Sequence, residues 1–329
     1  MKLATFEIIT EIQSIPGADR IDLARVQGWQ SVIKKGEYKV GDKVIFVPID
    51  TVMQPQDWNK FLWDKNNPQN PIRVKTVKLK GAVSQGIIFP TTITDCSVED
   101  SLPVVLHIHK YEKPVPAHLS GMVKGDFPTH FISRTDEDNL KSNINVLDEL
   151  KKAAFVEATL KLDGTSATFI KDQFGEFHVC SRNLELKETE SNAHWQMAKK
   201  YNIKDVLNNG ECVQGEICGP GIQGNPLGLS ELTFFVFNFK KDNKWCSYQH
   251  LESVLPTVQT IATWTQEEFN DLTIDDLQNF VNTHMYVQSN KPAEGLVFRG
   301  FDENKQYIYS PTLQKMLSVK IINQNFKDN

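Results

Sequence analysis

Apolar and polar positions alternate through much of the first hundred residues. SVIKKGEYKVGDKVIFVPID (31–50) and IRVKTVKLKGAVSQGIIFP (72–90) are short alternating segments broken by Gly, Pro and Asp. Period-two runs between turn residues predict strands, and their rhythm predicts a small barrel or sandwich over residues 1–105. Within it, RVKTVKLK places Arg73 and Lys75 on one strand face and Lys78 and Lys80 on the other. Such lysines suit a protected edge strand or a nucleic-acid contact. A stretch rich in Pro, Gly and His, 106–130, is expected to connect this part to a second domain over 131–329.

From residue 131 onward the pattern mixes periods. SNAHWQMAKKYNIKDVLNN (191–209) carries Trp195, Ala198, Tyr201 and Val206 at roughly helical spacing, which predicts a helix with a core-facing side. In LTIDDLQNFVNTH (272–284), Thr273 with Asp276 three places on is a helix-capping signature. FVEATLKLDGTSATFI (155–170) alternates as a strand: Val156, Ala158, Leu160 and Leu162 face a core, and Glu157, Thr159, Lys161 and Asp163 face the other way. Asp163-Gly164 then predicts a tight hairpin turn into the next strand.

Composition narrows the class. The hydrophobic share of 40% and the charged share of 23% are those of a soluble folded protein. No apolar run approaches the roughly 20 residues that cross a bilayer, and Glu7 and Glu11 interrupt any leader-like stretch at the start. The five cysteines form no C-x-x-C pair, so reduced thiols in a cytoplasmic protein are expected. His107 and His109 alternate in LHIHK without a third ligand nearby in sequence, so surface histidines are expected there. A net charge of −5 excludes broad electrostatic adhesion to nucleic acid and leaves room only for a local basic groove.

Candidate chemistry centres on Lys161. K-x-D-G alone is equally a surface turn, but five further segments carry polar groups of the kind a lysine nucleophile needs. CSRNLEL supplies Arg182 and Asn183, CVQGEICGPGIQG supplies Glu216, and LTFFVFNF supplies Phe237 for stacking on a flat ring. AEGLVFR sets Glu294 at the start of a strand, and LSVKIINQNF turns Ser318 and Lys320 outward. An ordinary lysine, with a pKa near ~10.4, is protonated at neutral pH; lowering it by about three units takes roughly 4 kcal/mol. Burial, a second cation such as Lys320, or a metal can contribute this. Asp163, Glu216 and Glu294 are candidates for a metal shell, directly or through water.

These residues together resemble the covalent nucleotidyltransferase superfamily of polynucleotide ligases and mRNA capping enzymes. The matching motifs are K-x-D-G at 161–164, S-R-N at 181–183, G-E at 215–216, F-F-V-F-N at 234–238, E-G-L-V-F at 294–298 and the strand carrying Lys320. KLDGTSATF, GEICGPGIQGNPLGL and SVKIINQNF are similar to ATP-dependent RNA ligases. FPTHFISRTDEDNLKSN (127–143), IPGADRIDLARVQGW (15–29), VGDKVIFVP and LKGAVSQGIIFP resemble the nick-sealing branch with an N-terminal OB domain. The resemblance implies an α+β chain: an OB-type β-barrel at 1–105, then an adenylyltransferase domain of mixed antiparallel sheets and helices.

It also implies a three-step reaction. Lys161 takes AMP from ATP with Mg²⁺ or Mn²⁺, passes it to a 5′-phosphate, and a 3′-OH then displaces AMP. By that pattern Arg182, Asn183 and Glu216 hold the nucleotide or polynucleotide, Phe237 stacks on adenine, and Asp163 and Glu294 organise metal. Lys320 contacts the α-phosphate. The implied partner is RNA or an RNA-containing duplex, and a monomer is expected. Two positions depart from the pattern. Ser318 stands where relatives often have a first lysine, and Thr159 and Leu160 stand where they often carry Glu, which leaves the adenine contacts open. Nine residues follow Lys320, where capping enzymes and most DNA ligases place an OB domain; this favours the RNA-ligase branch. The alternatives are a DNA ligase of the same superfamily and a non-catalytic OB-fold RNA-binding protein.

Overall fold

The computed structural model describes residues 2–111 and 121–327; the middle of the expected connection, 112–120, lies outside the described residues. The chain divides into two compact units, Met1–Pro114 with Leu140–Ile144, and Val115–Asn139 with Asn145–Asn329.

In the first unit the alternating segments become eleven strands: β1 (Thr5–Ile8), β2 (Glu11–Ser14), β3 (Ile21–Val26), β4 (Trp29–Lys34), β5 (Lys43–Val47), β6 (Thr51–Met53), β7 (Ile72–Arg73), β8 (Thr76–Leu79), β9 (Ala82–Gln85), β10 (Ile87–Pro90) and β11 (Ile108–Lys110). They form three sheets, β1-β5-β10, β2-β3-β4 and β11-β6-β7, and the β8-β9 hairpin. Their inward residues share one core that includes Trp29, Phe46, Met53, Phe89 and Leu102. β3 shows why alternation suffices: Ala24 and Val26 are buried, whereas Leu23 and Arg25, which alternate with them, are half-exposed. β11 takes in His109, within the stretch expected to be a connection, as a strand of this unit. Arg73 stacks its guanidinium 3.6 Å from the Tyr111 ring centre and pairs with Asp50. Residues Leu140–Ile144 return here through Lys141, a buried lysine whose Nζ donates to Gln85 Oε1 at 3.0 Å.

The second unit contains two larger sheets and two small strand pairs. Its strands are β12 (Val123–Asp126), β13 (Asp138–Asn139), β14 (Phe155–Lys161), β15 (Thr165–Lys171), β16 (Phe177–Cys180), β17 (Leu184–Leu186), β18 (Glu211–Cys218), β19 (Thr233–Lys241), β20 (Lys244–Cys246), β21 (Thr260–Thr265), β22 (Met285–Tyr286), β23 (Lys291–Pro292), β24 (Gly295–Phe301), β25 (Tyr309–Ser310), β26 (Lys315–Met316) and β27 (Ser318–Ile322). One sheet has the order β12-β17-β16-β15-β18-β19-β20, the other β13-β27-β24-β14-β21. All pairings are antiparallel except β13 with β27. A core of Ala167, Phe169, Val213, Ile217, Phe234 and Val236 lines the longer sheet, with Phe169 and Phe234 edge-to-face at 4.9 Å.

The hairpin expected at Asp163-Gly164 does not form. β14 pairs with β21 and β24, whereas β15 pairs with β16 and β18. The chain therefore leaves one sheet at Lys161 and enters the other at Thr165. Gly164 serves close approach in this crossover: a Cβ there would lie 2.3 Å from the Ile217 carbonyl oxygen and 2.7 Å from Cys218 Sγ. The expected helix over 191–209 is broken at Asn202 (φ 49) into Ala193–Lys200 and Ile203–Val206. The helix Ile274–Asn282 is capped as expected, with Thr273 Oγ1 accepting from the Asp276 N–H at 3.2 Å.

Candidate active site

Lys161 ends β14, and Glu294 immediately precedes β24, whose Gly295 is the cross-strand partner of Lys161. The ladder thus delivers both side chains to the same sheet end, and Lys161 Nζ lies 2.7 Å from Glu294 Oε2. A Cβ on Gly295 would sit 2.2 Å from the Ile321 carbonyl oxygen, so the small residue of the E-G pair allows β27 to lie against β24. Glu216 comes from β18 of the other sheet, opposite Ser166 on β15. Asp163 lies in the crossover and is 8% exposed.

The charges of these four residues are coupled. Burial, opposed by Lys161 but reinforced by Glu294 and Asp163, pushes the Glu216 carboxyl up to about 8. Burial pulls the Lys161 amine down, but Glu294, Glu216 and Asp163 outweigh it and hold the ammonium above the ordinary lysine range. The low lysine pKa expected for a nucleophile is therefore not present: the acids around Lys161 outweigh desolvation. Among the described residues, no group of three or more His, Cys, Asp or Glu side chains could hold a metal ion by itself.

The remaining candidates lie on both sheets. Arg182, in the loop between β16 and β17, donates from Nη2 to Asp136 Oδ1 at 2.5 Å. The carbonyl of its neighbour Asn183 accepts from the Phe127 N–H at 3.0 Å. Phe237, half-buried on β19, packs at the margin of the core. Lys320 is half-buried on β27 opposite Val297, which in turn faces Thr159 on β14. Thr159 and Lys161 are two apart on one strand, so Lys161 and Lys320 project from the same face of the five-stranded sheet.

The next row on that face, Glu157-Arg299-Ser318, explains the departure at Ser318. Arg299 is 2% exposed. Its guanidinium donates to Ser318 Oγ (3.3 Å) and to the Phe237 carbonyl (3.0 Å), and lies 3.7 Å from Glu137. Ser318 in turn donates to Glu137 at 2.8 Å. A buried guanidinium thus lies one strand away from Ser318. Lys315 is engaged elsewhere, with Asp138 (2.9 Å) and the Asp136 carbonyl (2.6 Å).

Sequence patterning missed Arg299, the acids 136–138 and Tyr286. Arg299 left a signal, a charge in the apolar run GLVFRGF. Tyr286 left none: it sits on the two-residue β22, is 2% exposed, and reaches the site through its hydroxyl. That oxygen accepts the Asp163 N–H (3.0 Å) and the Glu294 N–H (3.1 Å), and donates to the Lys161 carbonyl (3.0 Å).

Comparison with known proteins places the chain among its relatives. An RNA ligase family model matches residues 154–310, and an OB-fold domain model matches residues 3–91. No curated protein matches the chain. Naegleria gruberi RNA ligase with PPi superposes with a TM-score of 0.82 at 29% identity, covering 98% of this chain and 97% of that one. A lysine-to-methionine variant of that ligase, with AMP and Mn, gives the same values. An arginine-to-alanine variant with ATP and Mn superposes at 0.81 and 30% identity, covering 98% and 97%. The expected order, an OB fold followed by a ligase domain of mixed sheets and helices, holds along the whole chain. With a 30% identical RNA ligase matched over nearly the full length of both molecules, and Lys161 set among acids at the junction of two sheets, the chain belongs to the RNA ligase family.

Proposed function

We propose that the chain is an ATP-dependent RNA ligase that joins 3′-OH and 5′-phosphate ends, sealing nicks in duplexes, with Lys161 as the nucleotide-carrying residue. The observation that carries this is the Lys161–Glu294 contact at the sheet junction, with Asp163 and Glu216 electrostatically coupled to it. Solved structures of the similar Naegleria ligase contain ATP and Mn, AMP and Mn, or PPi, which are the reactant, a product fragment and the leaving group of such chemistry.

The neutral Lys161 amine attacks the α-phosphorus of ATP. A P–N bond forms, the bond to the bridging oxygen breaks, pyrophosphate leaves and the amine proton is lost. A 5′-phosphate oxygen then attacks the same phosphorus, and the P–N bond breaks as the nitrogen takes up a proton, which returns the Lys161 amine. Last, the 3′-hydroxyl oxygen attacks the 5′-phosphorus, releasing AMP and a proton. Lys320, on the same sheet face as Lys161, is placed to neutralise phosphate oxygens. Phe237 serves as the adenine platform, and Arg182 and Asn183, in the loop after β16, serve ribose or polynucleotide phosphate. For Arg182 this means exchanging Asp136 for the substrate.

Asp163, Glu216 and Glu294 suit a divalent ion in one respect, because burial and like charge leave Glu216 protonated to about pH 8, a cluster short of positive charge. Without a three-ligand protein cage, Mg²⁺ or Mn²⁺ would take its other ligands from water and phosphate. Bound there, the cation would offset the carboxylates that keep Lys161 protonated and favour its neutral form.

In this reading the enzyme acts as a monomer. Its five free thiols support a reducing cytoplasmic setting, and no helix among the described residues is long and apolar enough to cross a membrane. Incubation with α-labelled ATP and Mn²⁺ should give an acid-labile protein label that Lys161→Ala lacks. No label, or an equal label in the variant, would refute the proposal. Sealing one nick with RNA or DNA 3′-OH strands tests the substrate; comparable sealing of both would indicate a DNA ligase instead.

A further inference from the structure

We propose that the Tyr286 hydroxyl is the positioning group of the reacting crossover, fixing the Lys161 amine against Glu294 through three backbone hydrogen bonds. The inference rests on the proposed role of Lys161. It starts from connectivity. Lys161 and Asp163 flank the point where the chain passes from one sheet to the other, so no single ladder fixes their relative placement. Glu294 arrives from a third segment, more than a hundred residues away in sequence.

One phenol oxygen joins all three. It donates to the Lys161 carbonyl and accepts from the N–H groups of Asp163 and Glu294, at 3.0, 3.0 and 3.1 Å. A neutral phenol has one hydrogen to donate and two lone pairs to accept with, so its capacity is filled. The ring is held independently: it belongs to the core with Phe234, Ile217 and Ala293. A group fixed by packing and aimed at three backbone atoms can transmit that fixity to Lys161.

The three atoms belong to the residues whose side chains must meet. The Lys161 carbonyl and the Asp163 N–H bracket the crossover, and the Glu294 N–H sets the side chain that lies 2.7 Å from the amine. The hydroxyl contacts backbone and makes no proposed substrate contact, so its loss should alter how well the amine is aimed and leave ATP affinity alone. Misplacement by about 1 Å costs on the order of 10²-fold in rate.

Single-turnover labelling of the full-length protein with α-labelled ATP and Mn²⁺ separates aim from damage. In Tyr286→Phe the rate constant at saturating ATP should fall on the order of 10²-fold, with the ATP concentration for half-maximal rate unchanged and the final labelled fraction near that of the parent. Ile203→Val, a core truncation away from the crossover, should keep the parent rate constant. If Tyr286→Phe folds poorly, 4-aminophenylalanine at position 286 keeps the ring and a donor but accepts weakly, and should label at an intermediate rate. A parent-like rate constant in either variant, or a loss confined to the labelled fraction, would overturn the positioning role. Failure of the parent to label at all would instead refute the proposed function on which it rests.

Discussion

Each unit contains a lysine largely withdrawn from solvent, and the two have different neighbours. In the first unit Lys141 is 4% exposed, with its ammonium 3.0 Å from the Gln85 amide oxygen and 5.8 Å from the Trp29 ring centre. The Lys141 backbone lies where a Cβ on Gly28 would meet it at 3.0 Å, and its carbonyl accepts the Gly28 N–H. In the second unit the Lys161 side chain is 23% exposed, and its charge is met by Glu294, Glu216 and Asp163. A neutral amide oxygen and an indole face are among the groups that meet the Lys141 ammonium. Carboxylates can be claimed by other cations, so their grip on a lysine is reversible. Burial alone therefore does not single out Lys161; the acids around it do.

The sharpest test exchanges the fates of these two residues. Lys161→Ala should abolish the acid-labile label with little change in melting. Lys141→Met, which keeps the aliphatic stem but leaves Gln85 without its ammonium, should label normally and lose about 1–3 kcal/mol of stability by denaturant titration. A normal label in the first or a dead second variant would break the comparison.

A smaller effect is expected from the glycines. Gly164→Ala drives a methyl toward the Ile217 carbonyl and should slow labelling by one to two orders of magnitude, roughly the cost of a misplaced nucleophile. Gly81, in the β8-β9 turn, has open space around it and a φ of +86, so Gly81→Ala should cost only about 1 kcal/mol of turn strain and leave labelling unchanged.

Smaller again is a pH effect confined to the second unit. The Glu216 carboxyl is raised from 4.5 to about 8 in the folded chain, so the folded state binds its proton more tightly than the unfolded state does. Stability linked to this group is fully present below the unfolded value and is lost as pH rises from 4.5 toward 8. The midpoint of thermal unfolding should fall less over that window in Glu216→Gln than in the parent. The smallest effect belongs to Thr273→Ala, which removes a helix cap far from the chemistry: about 1 kcal/mol of stability and no change in labelling.

The sequence carried what is periodic or local. Alternation over 155–162 predicted which side of β14 carries Lys161, and the Thr273 cap predicted where the helix Ile274–Asn282 begins. Spaced motifs, through the family resemblance, singled out Glu294, Glu216 and Lys320; of these only Glu294 borders a strand end, whereas Glu216 and Lys320 lie within β18 and β27. What failed was pairing. Asp163-Gly164 has the composition of a hairpin turn, but β14 finds more partner edge in β21 and β24, and β15 finds it in β16 and β18. Turn chemistry cannot register a competition decided largely by β18, β21 and β24, about forty to a hundred and fifty residues away. Tyr286 was invisible for a related reason: its hydroxyl answers to backbone atoms, and backbone atoms leave no letter in a sequence. Arg299 was visible as an anomaly in an apolar strand, but its partners Glu137 and Ser318 come from β13 and β27 territory on either side of it.

The crossover at Leu162–Gly164 makes the chemistry a gauge of how the two sheets are spaced. Lys161 rides on one sheet and Glu216 on the other, so a loosening between them too slight to expose the core already separates amine from acid. Warming should silence AMP transfer while circular dichroism still reports folded strands, leaving a temperature interval in which the protein is intact yet inert. Cooling from that interval should restore the full rate at once, since no strand has to be rebuilt.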